Sequence, residues 1–193
     1  MKNNNVNQKI INGLERISKA FRVLLWEKSK LYKISPIQIQ LLIFCSNHKK
    51  ENLKVSFLAN EFDLTKATIS DSIKILLKKE LLNKVVNPKD SRSFTVELTS
   101  KGKEIVKQTI SFSSVLNQSI DFLTEIEKGV FLKQLMEFIY QLNQKDVIST
   151  QRMCLTCYYY NKNGNNHYCN LMKKPLKNIE LRIDCDEHQI LHN

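Results

Sequence analysis

The chain has 193 residues, 42% of them hydrophobic and 25% charged, with a formal net charge of +11. That length leaves room for one good core plus an appendage, and the excess of cations suits a polyanionic partner. No apolar run approaches membrane-spanning length and Met1–Asn5 leads into no signal-type core, so a cytoplasmic protein is expected. Gly-rich phosphate loops, G-x-S-x-G and H-E-x-x-H are all missing, and His48 has no acid or nucleophile beside it. An enzyme is not expected. Lys, Asn and Ile are abundant throughout, so the placement of the cations carries more weight than their sum.

From about Val6 to Leu31, the residues Ile10, Leu14, Ile17, Phe21, Leu24 and Leu25 form an apolar stripe. It is too long for a small domain to cover alone. Ser35 then caps the next helix, with Pro36 at its first position and Gln38 placed to close a capping box. Ile37, Ile39, Leu41, Leu42 and Phe44 supply its apolar side, and Cys45 in that run reads as a small buried hydrophobe.

Residues 64 to 102 are the most informative stretch. Ile69, Ile73, Leu76 and Leu77 recur at helical spacing, with Lys66, Ala67, Ser70, Asp71 and Lys74 on the other side. After Glu80 the pattern alternates: Leu82, Lys84 and Val86, then Phe94, Val96 and Leu98. Asn87–Ser93 lies between, rich in turn formers and carrying Lys89 and Arg92, which predicts a hairpin with a charged tip. A helix with a small, polar outer face beside such a hairpin is suited to touch duplex DNA at two places. Further on, Thr124 and Glu127 predict a second capping box, followed by Val130, Phe131, Leu135, Phe138 and Leu142.

These motifs are collinear with a known pattern. Leu58-Ala59, Thr68-Ile69 with Ile73 and Leu76, Asp90-Ser91-Arg92, and Leu98-Thr99-Ser100-Lys101-Gly102 together resemble the MarR-type winged-helix regulators over about residues 6 to 148. The resemblance implies a mainly α fold with a small β-hairpin wing. It divides the chain into an N-terminal dimerisation helix (1–34), a winged helix-turn-helix domain (35–99) and C-terminal dimerisation helices (100–148). It also implies a homodimer on a pseudo-palindromic operator in double-stranded DNA, half-sites about 10 bp apart. Repression is the commoner role in that family, and a small-molecule effector is a further implied partner. By resemblance Thr68, Ser70 and Asp71 would read the major groove, Lys66 and Lys74 would hold phosphates, Lys89 would sit at the wing tip and Arg92 would enter the minor groove. Asp90 would orient the wing. Glu80 stands where the family usually has Gly, which predicts a different helix ending. The alternative for the same fold is a protein-interaction module.

Residues 149–193 are not standard equipment for that family. Cys154, Cys157, Cys169 and Cys185 fall there, in a segment with few other core formers. Tyr158 to Cys169 predicts a hairpin, and Leu181-Arg182-Ile183 a third strand. In a reducing compartment such a cluster points to metal before disulfides. A zinc-ribbon-like tail with these four cysteines around zinc is the expected form. An iron–sulfur cluster or switching thiols, making the protein a redox or metal sensor, are the alternatives. His167 and His188 flank two of the cysteines and stand as substitute ligands or supporting groups.

Overall fold

The structure is a computed structural model that describes residues 5–50, 53–87, 90–109 and 114–190, the side chains of 87 and 90–93 apart. In chain order it contains α1 (Val6–Tyr32), α2 (Pro36–Asn47), α3 (Val55–Glu61) and α4 (Lys66–Lys78). Then come β1 (Leu82–Asn87), β2 (Asp90–Leu98), α5 (Ser100–Thr109), α6 (Ser114–Gln118) and α7 (Glu125–Gln144). A sheet of β3 (Tyr160–Asn163), β4 (Asn166–Cys169) and β5 (Lys174–Leu176) follows. The chain forms two units: residues 1–55 with 67–115, and residues 56–66 with 116–193.

Both predicted capping boxes are present. In the first, the Gln38 amide donates to Ser35 Oγ at 3.3 Å and the Ser35 amide to Gln38 Oε1 at 3.0 Å. In the second, Glu127 and Thr124 exchange bonds of 3.3 and 2.8 Å. Accepting the Thr124 amide and hydroxyl holds the Glu127 carboxyl below its ordinary pKa.

Within the first unit, β1 and β2 pair antiparallel from Leu82↔Leu98 to Asn87↔Asp90, with a register shift between Val86 and Asn87. The strands run further than the sequence predicted, into the region expected to be turn. Lys54 bridges Thr95, and the Val96 amide donates to the Leu53 carbonyl at 3.1 Å. Residue spacing alone does not announce this third backbone partner for the hairpin. Ile39, Leu41, Leu42, Ile69, Ile73, Leu76 and Val96 are buried in this unit.

Glu80 does not change the way α4 ends. Its φ is +58°, the left-handed conformation that glycine adopts most easily. The Leu81 amide reaches back to the Leu76 carbonyl and the Glu80 amide to that of Leu77, both at 2.9 Å. That is a Schellman ending, with the apolar pair Leu76 and Leu81 buried beneath it. The same left-handed residue closes α1 at Lys33, α3 at Asp63 and α7 at Asp146. In each case the next amide bonds five residues back: Ile34 to Ser29, Leu64 to Ala59 and Val147 to Leu142.

The end of α4 is knotted to the start of α5. Thr99 Oγ1 donates to the Glu80 carbonyl at 2.7 Å and accepts from the Gly102 amide at 2.9 Å, and the Thr99 amide donates to the Leu81 carbonyl at 3.2 Å. A Cβ on Gly102 would stand 2.1 Å from the Leu81 carbonyl oxygen, so only glycine fits. This geometry gives the L-T-x-x-G motif its physical reason.

In the second unit α7 and the cysteine-rich segment share a core. Met136 and Met153 are fully buried with Leu176 and Leu181, and Leu132, Ile139 and Tyr140 pack against them. The tail thus takes much of its core from α7, which its own composition did not reveal. Its third strand is Lys174–Leu176 rather than Leu181–Ile183. Leu181 is buried in the core, while Arg182 spends its backbone groups on Cys154. Gly129 on α7 lets the turn at Asn178–Glu180 approach, since a Cβ there would lie 2.9 Å from Ile179 Cγ2.

Two substitutions test the α4–α5 knot. Glu80→Gly removes left-handed strain and should stabilise the protein by about 1 kcal/mol, a rise of about 2–4 °C in thermal midpoint. Gly102→Ala should destabilise by about 1–3 kcal/mol because the backbone must give way. Both are read by thermal unfolding followed by circular dichroism.

Candidate nucleic-acid interface and thiol site

Along α4 the sequence separates two faces as expected. Ile69, Ile73 and Leu76 are buried, while Lys66, Thr68, Asp71 and Lys74 are exposed and Ser70 is half-buried. Ser72 is buried and Ile75 exposed, two positions that periodicity did not single out. Asp71 and Lys74 are not independent: Lys74 Nζ lies 2.9 Å from Asp71 Oδ1, one helical turn apart, with both side chains well exposed. An exposed pair of this kind contributes little to stability. It does offset the charge that Lys74 would present to a phosphate. On the hairpin, Lys84 Nζ stands 4.5 Å from the centroid of the Phe94 ring. Arg92 lies in β2 by its backbone, while Lys89 and the side chains of Asp90 and Arg92 fall outside the described residues.

The four tail cysteines come together. Cys154 opens a short 3-10 turn, Cys157 follows it, Cys169 ends β4 and Cys185 lies in the last loop. All four are half-buried and all four line one cavity of about 480 Å³. Burial pushes the Cys154 thiol above its ordinary pKa; the Arg182 amide opposes this, and the charges of Cys185, Cys157 and Cys169 add to it. The Arg182 amide donates to Cys154 Sγ at 3.2 Å, and its guanidinium reaches Cys185 Sγ at 3.6 Å. Among the described residues, no three His, Cys, Asp or Glu side chains are grouped so that they could hold one metal ion.

The histidines have other partners. His167 is buried, with Nδ1 2.6 Å from the Tyr160 hydroxyl and Nε2 3.2 Å from Asn178 Oδ1. Asn178 Oδ1 can only accept, so Nε2 carries the proton and Nδ1 accepts from Tyr160. Burial lowers the pKa of His167, in keeping with a neutral ring. His188 Nε2 lies 3.0 Å from Thr156 Oγ1, and burial lowers its pKa too.

Arg152 is the residue of this region that sequence reading overlooked. Its guanidinium lies 2.7 Å from Asp184 and 3.3 Å from Glu61 of α3, and 5.5 Å from the ring centroid of Phe57. Beside it the Ser149 amide donates to Asp63 Oδ1 and its hydroxyl to the Asn60 carbonyl, both at 2.8 Å. Nothing in the spacing of these residues announces that the tail grips α3.

With this geometry in view, comparison with known proteins is informative. Residues 24–109 match the sequence model of a family described as transcriptional regulator SarA/Rot. Among solved structures, S. aureus MepR in its DNA-binding conformation is similar with a TM-score of 0.62 at 22% identity, over 69% of this chain and 98% of MepR. A MarR transcriptional regulator from Methanosarcina mazei gives 0.59 at 18% identity, over 70% of this chain and 98% of that one. The fold is that of the MarR-type winged helix. An uncharacterised HTH-type regulator of Bacillus subtilis, YhbI, is 30% identical over 70 residues, 36% of this chain. The chain spans about half of that relative's length, 46%. The relatives and structures matched are themselves described as transcriptional regulators. Among the described residues no helix is long and apolar enough to cross a membrane.

Cys45 stands apart from the thiol site. It is buried in α2, and desolvation pushes its thiol up to about 12. Iodoacetamide should therefore leave Cys45 unmodified in the folded protein and label it readily in denaturant. Peptide mass spectrometry of the two samples checks this, and equal labelling would contradict the burial.

Proposed function

We propose that this chain is a DNA-binding transcriptional regulator that works in the cytoplasm as a homodimer on a pseudo-palindromic operator. The observation that carries the reading is the exposed outer face of α4, Lys66, Thr68, Ser70, Asp71 and Lys74, at whose far end the Thr99 knot fixes a β-hairpin. Thr68 and Ser70 are short enough to approach base edges in the major groove, and Lys66 and Lys74 are the cations for phosphates. Asp71 either restrains Lys74 or accepts from cytosine N4. Lys89 and Arg92 are proposed to extend the contact from the wing. The similarity to MepR, solved in a DNA-binding conformation, supports this reading.

The apolar stripes support the dimer. Ile10 and Trp26 on α1 are each 55% exposed, and Val130, Phe131 and Phe138 on α7 are exposed as well. Such faces, on two long helices, call for a second copy. An open cavity of about 720 Å³, lined by Leu14, Ile17, Phe21, Leu25 and Trp26 among others, lies on the same stripe of α1. We assign it to the dimer seat and to the neighbourhood in which a small-molecule effector would act. Repression is the proposed sign of regulation.

Sedimentation should give a dimer, and gel shifts on a selected operator should weaken steeply as salt is added. Asp71→Ala frees Lys74 for a phosphate. It should tighten binding to non-cognate duplex and steepen the salt dependence by up to about one unit per subunit in log–log slope. A monomer that binds duplex with no salt dependence would overturn the proposal.

A further inference from the structure

The four tail cysteines line one cavity. Around one zinc ion, sulfurs at about 2.3 Å from the metal lie about 3.8 Å from each other, packed against a single centre. Cys154, Cys157, Cys169 and Cys185 all line one cavity of about 480 Å³, more room than a single ion takes. A cubane of iron and sulfide carries its four thiolates on the corners of a wider tetrahedron, because the inorganic core fills the middle.

Other features of the site fit the same occupant. The Arg182 amide donates to Cys154 Sγ, and the Arg182 guanidinium reaches Cys185 Sγ. N–H···S bonds and a nearby cation stabilise an anionic thiolate-bound cluster and help set its potential. Leu171, Met172 and Leu176 give part of the cavity an apolar wall. Neither neighbouring histidine is available as a substitute ligand while it keeps its bonds, His167 to Tyr160 and Asn178, and His188 to Thr156. Glu180 and Glu187 line the same cavity, Glu180 paired with Lys174, and the four cysteines are its sulfur donors.

We propose that Cys154, Cys157, Cys169 and Cys185 hold an iron–sulfur cluster in the tail. The ligand-bearing segments are stitched to one another by backbone bonds: Cys154 and Arg182 exchange bonds, the Cys185 amide donates to the Arg152 carbonyl, and Cys157 bridges Ile190. The cluster adds a further tie between these segments, and with it folding energy for a small sheet.

The test is to purify the full-length protein without oxygen from iron-supplied cells, and to measure iron, zinc, acid-labile sulfide and the visible spectrum. Expected are brown protein and iron and sulfide in equal amounts, about four of each per chain. One zinc per chain without sulfide would overturn the proposal. So would protein that stays metal-free after reconstitution with ferrous iron and sulfide. Cys157→Ser should lose the iron and the visible absorption. Because that variant can also misfold, Arg182→Ala serves as the second probe. It should keep the iron but show a lower reduction potential, since a cation beside the cluster has been removed. An unchanged potential would contradict the placement of Arg182 against the site. Iron and sulfide are counted without DNA, so this result stands or falls separately from the DNA-binding reading.

Discussion

The Thr99 hydroxyl donates to the Glu80 carbonyl while accepting from the Gly102 amide, and this one group joins three elements. It satisfies an orphan carbonyl at the end of α4, caps α5 and fixes where the wing strands begin and end. Leu82 and Leu98, the first pair of the hairpin ladder, stand immediately beside it. The direction in which the hairpin leaves α4 is therefore set by short hydrogen bonds at its root, together with the Val96–Leu53 bond further along. A reader of DNA that touches two grooves needs that angle held, because a small rotation at the root displaces the far end by much more. The strain accepted at Glu80 is part of the same junction.

The second unit follows a different logic. A 45-residue segment cannot bury enough apolar surface alone. It shares Met136 with α7 instead, placing Met153, Leu176 and Leu181 around it, and uses the missing side chain of Gly129 to come close. Its hydrogen bonds are equally economical. His167 is spent on holding Tyr160 and Asn178 together, and Arg182 on the backbone and sulfur of Cys154. The two histidines that look like ligands in the sequence thus serve as struts, while the four cysteines line the cavity.

Much of this was legible beforehand because it rests on local rules. Ser35 with Gln38 and Thr124 with Glu127 announce their helices by spacing alone, and Ile69, Ile73 and Leu76 declare the inner face of α4. The two strands and the L-T-x-x-G junction belong to the same class. What was not legible depends on distant partners or on tertiary compensation. Glu80 takes a glycine conformation because buried leucines and Thr99 hold it there, which no propensity encodes. The pairing of Lys54 with Thr95 joins residues far apart in sequence. The third tail strand was misplaced because Leu181 looks like a strand residue but is needed in the core. At the interface the exposed face of α4 could be read from periodicity. The coupling of Asp71 to Lys74 is a matter of rotamers that periodicity cannot reveal.

Arg152 has a bearing on how the parts of this protein can be separated. It ties Asp184 of the tail to Glu61 of α3, and Ser149 binds Asn60 and Asp63 at the end of that helix. Residues 56–66 accordingly group with the tail rather than with α4 and the wing. Deleting the cysteine-rich segment would strip these anchors from α3. A truncated chain that lost DNA affinity would then report a loosened α3 as readily as a missing cofactor. The segment is structurally tied to α3, and point substitutions are the cleaner tools for dissecting it.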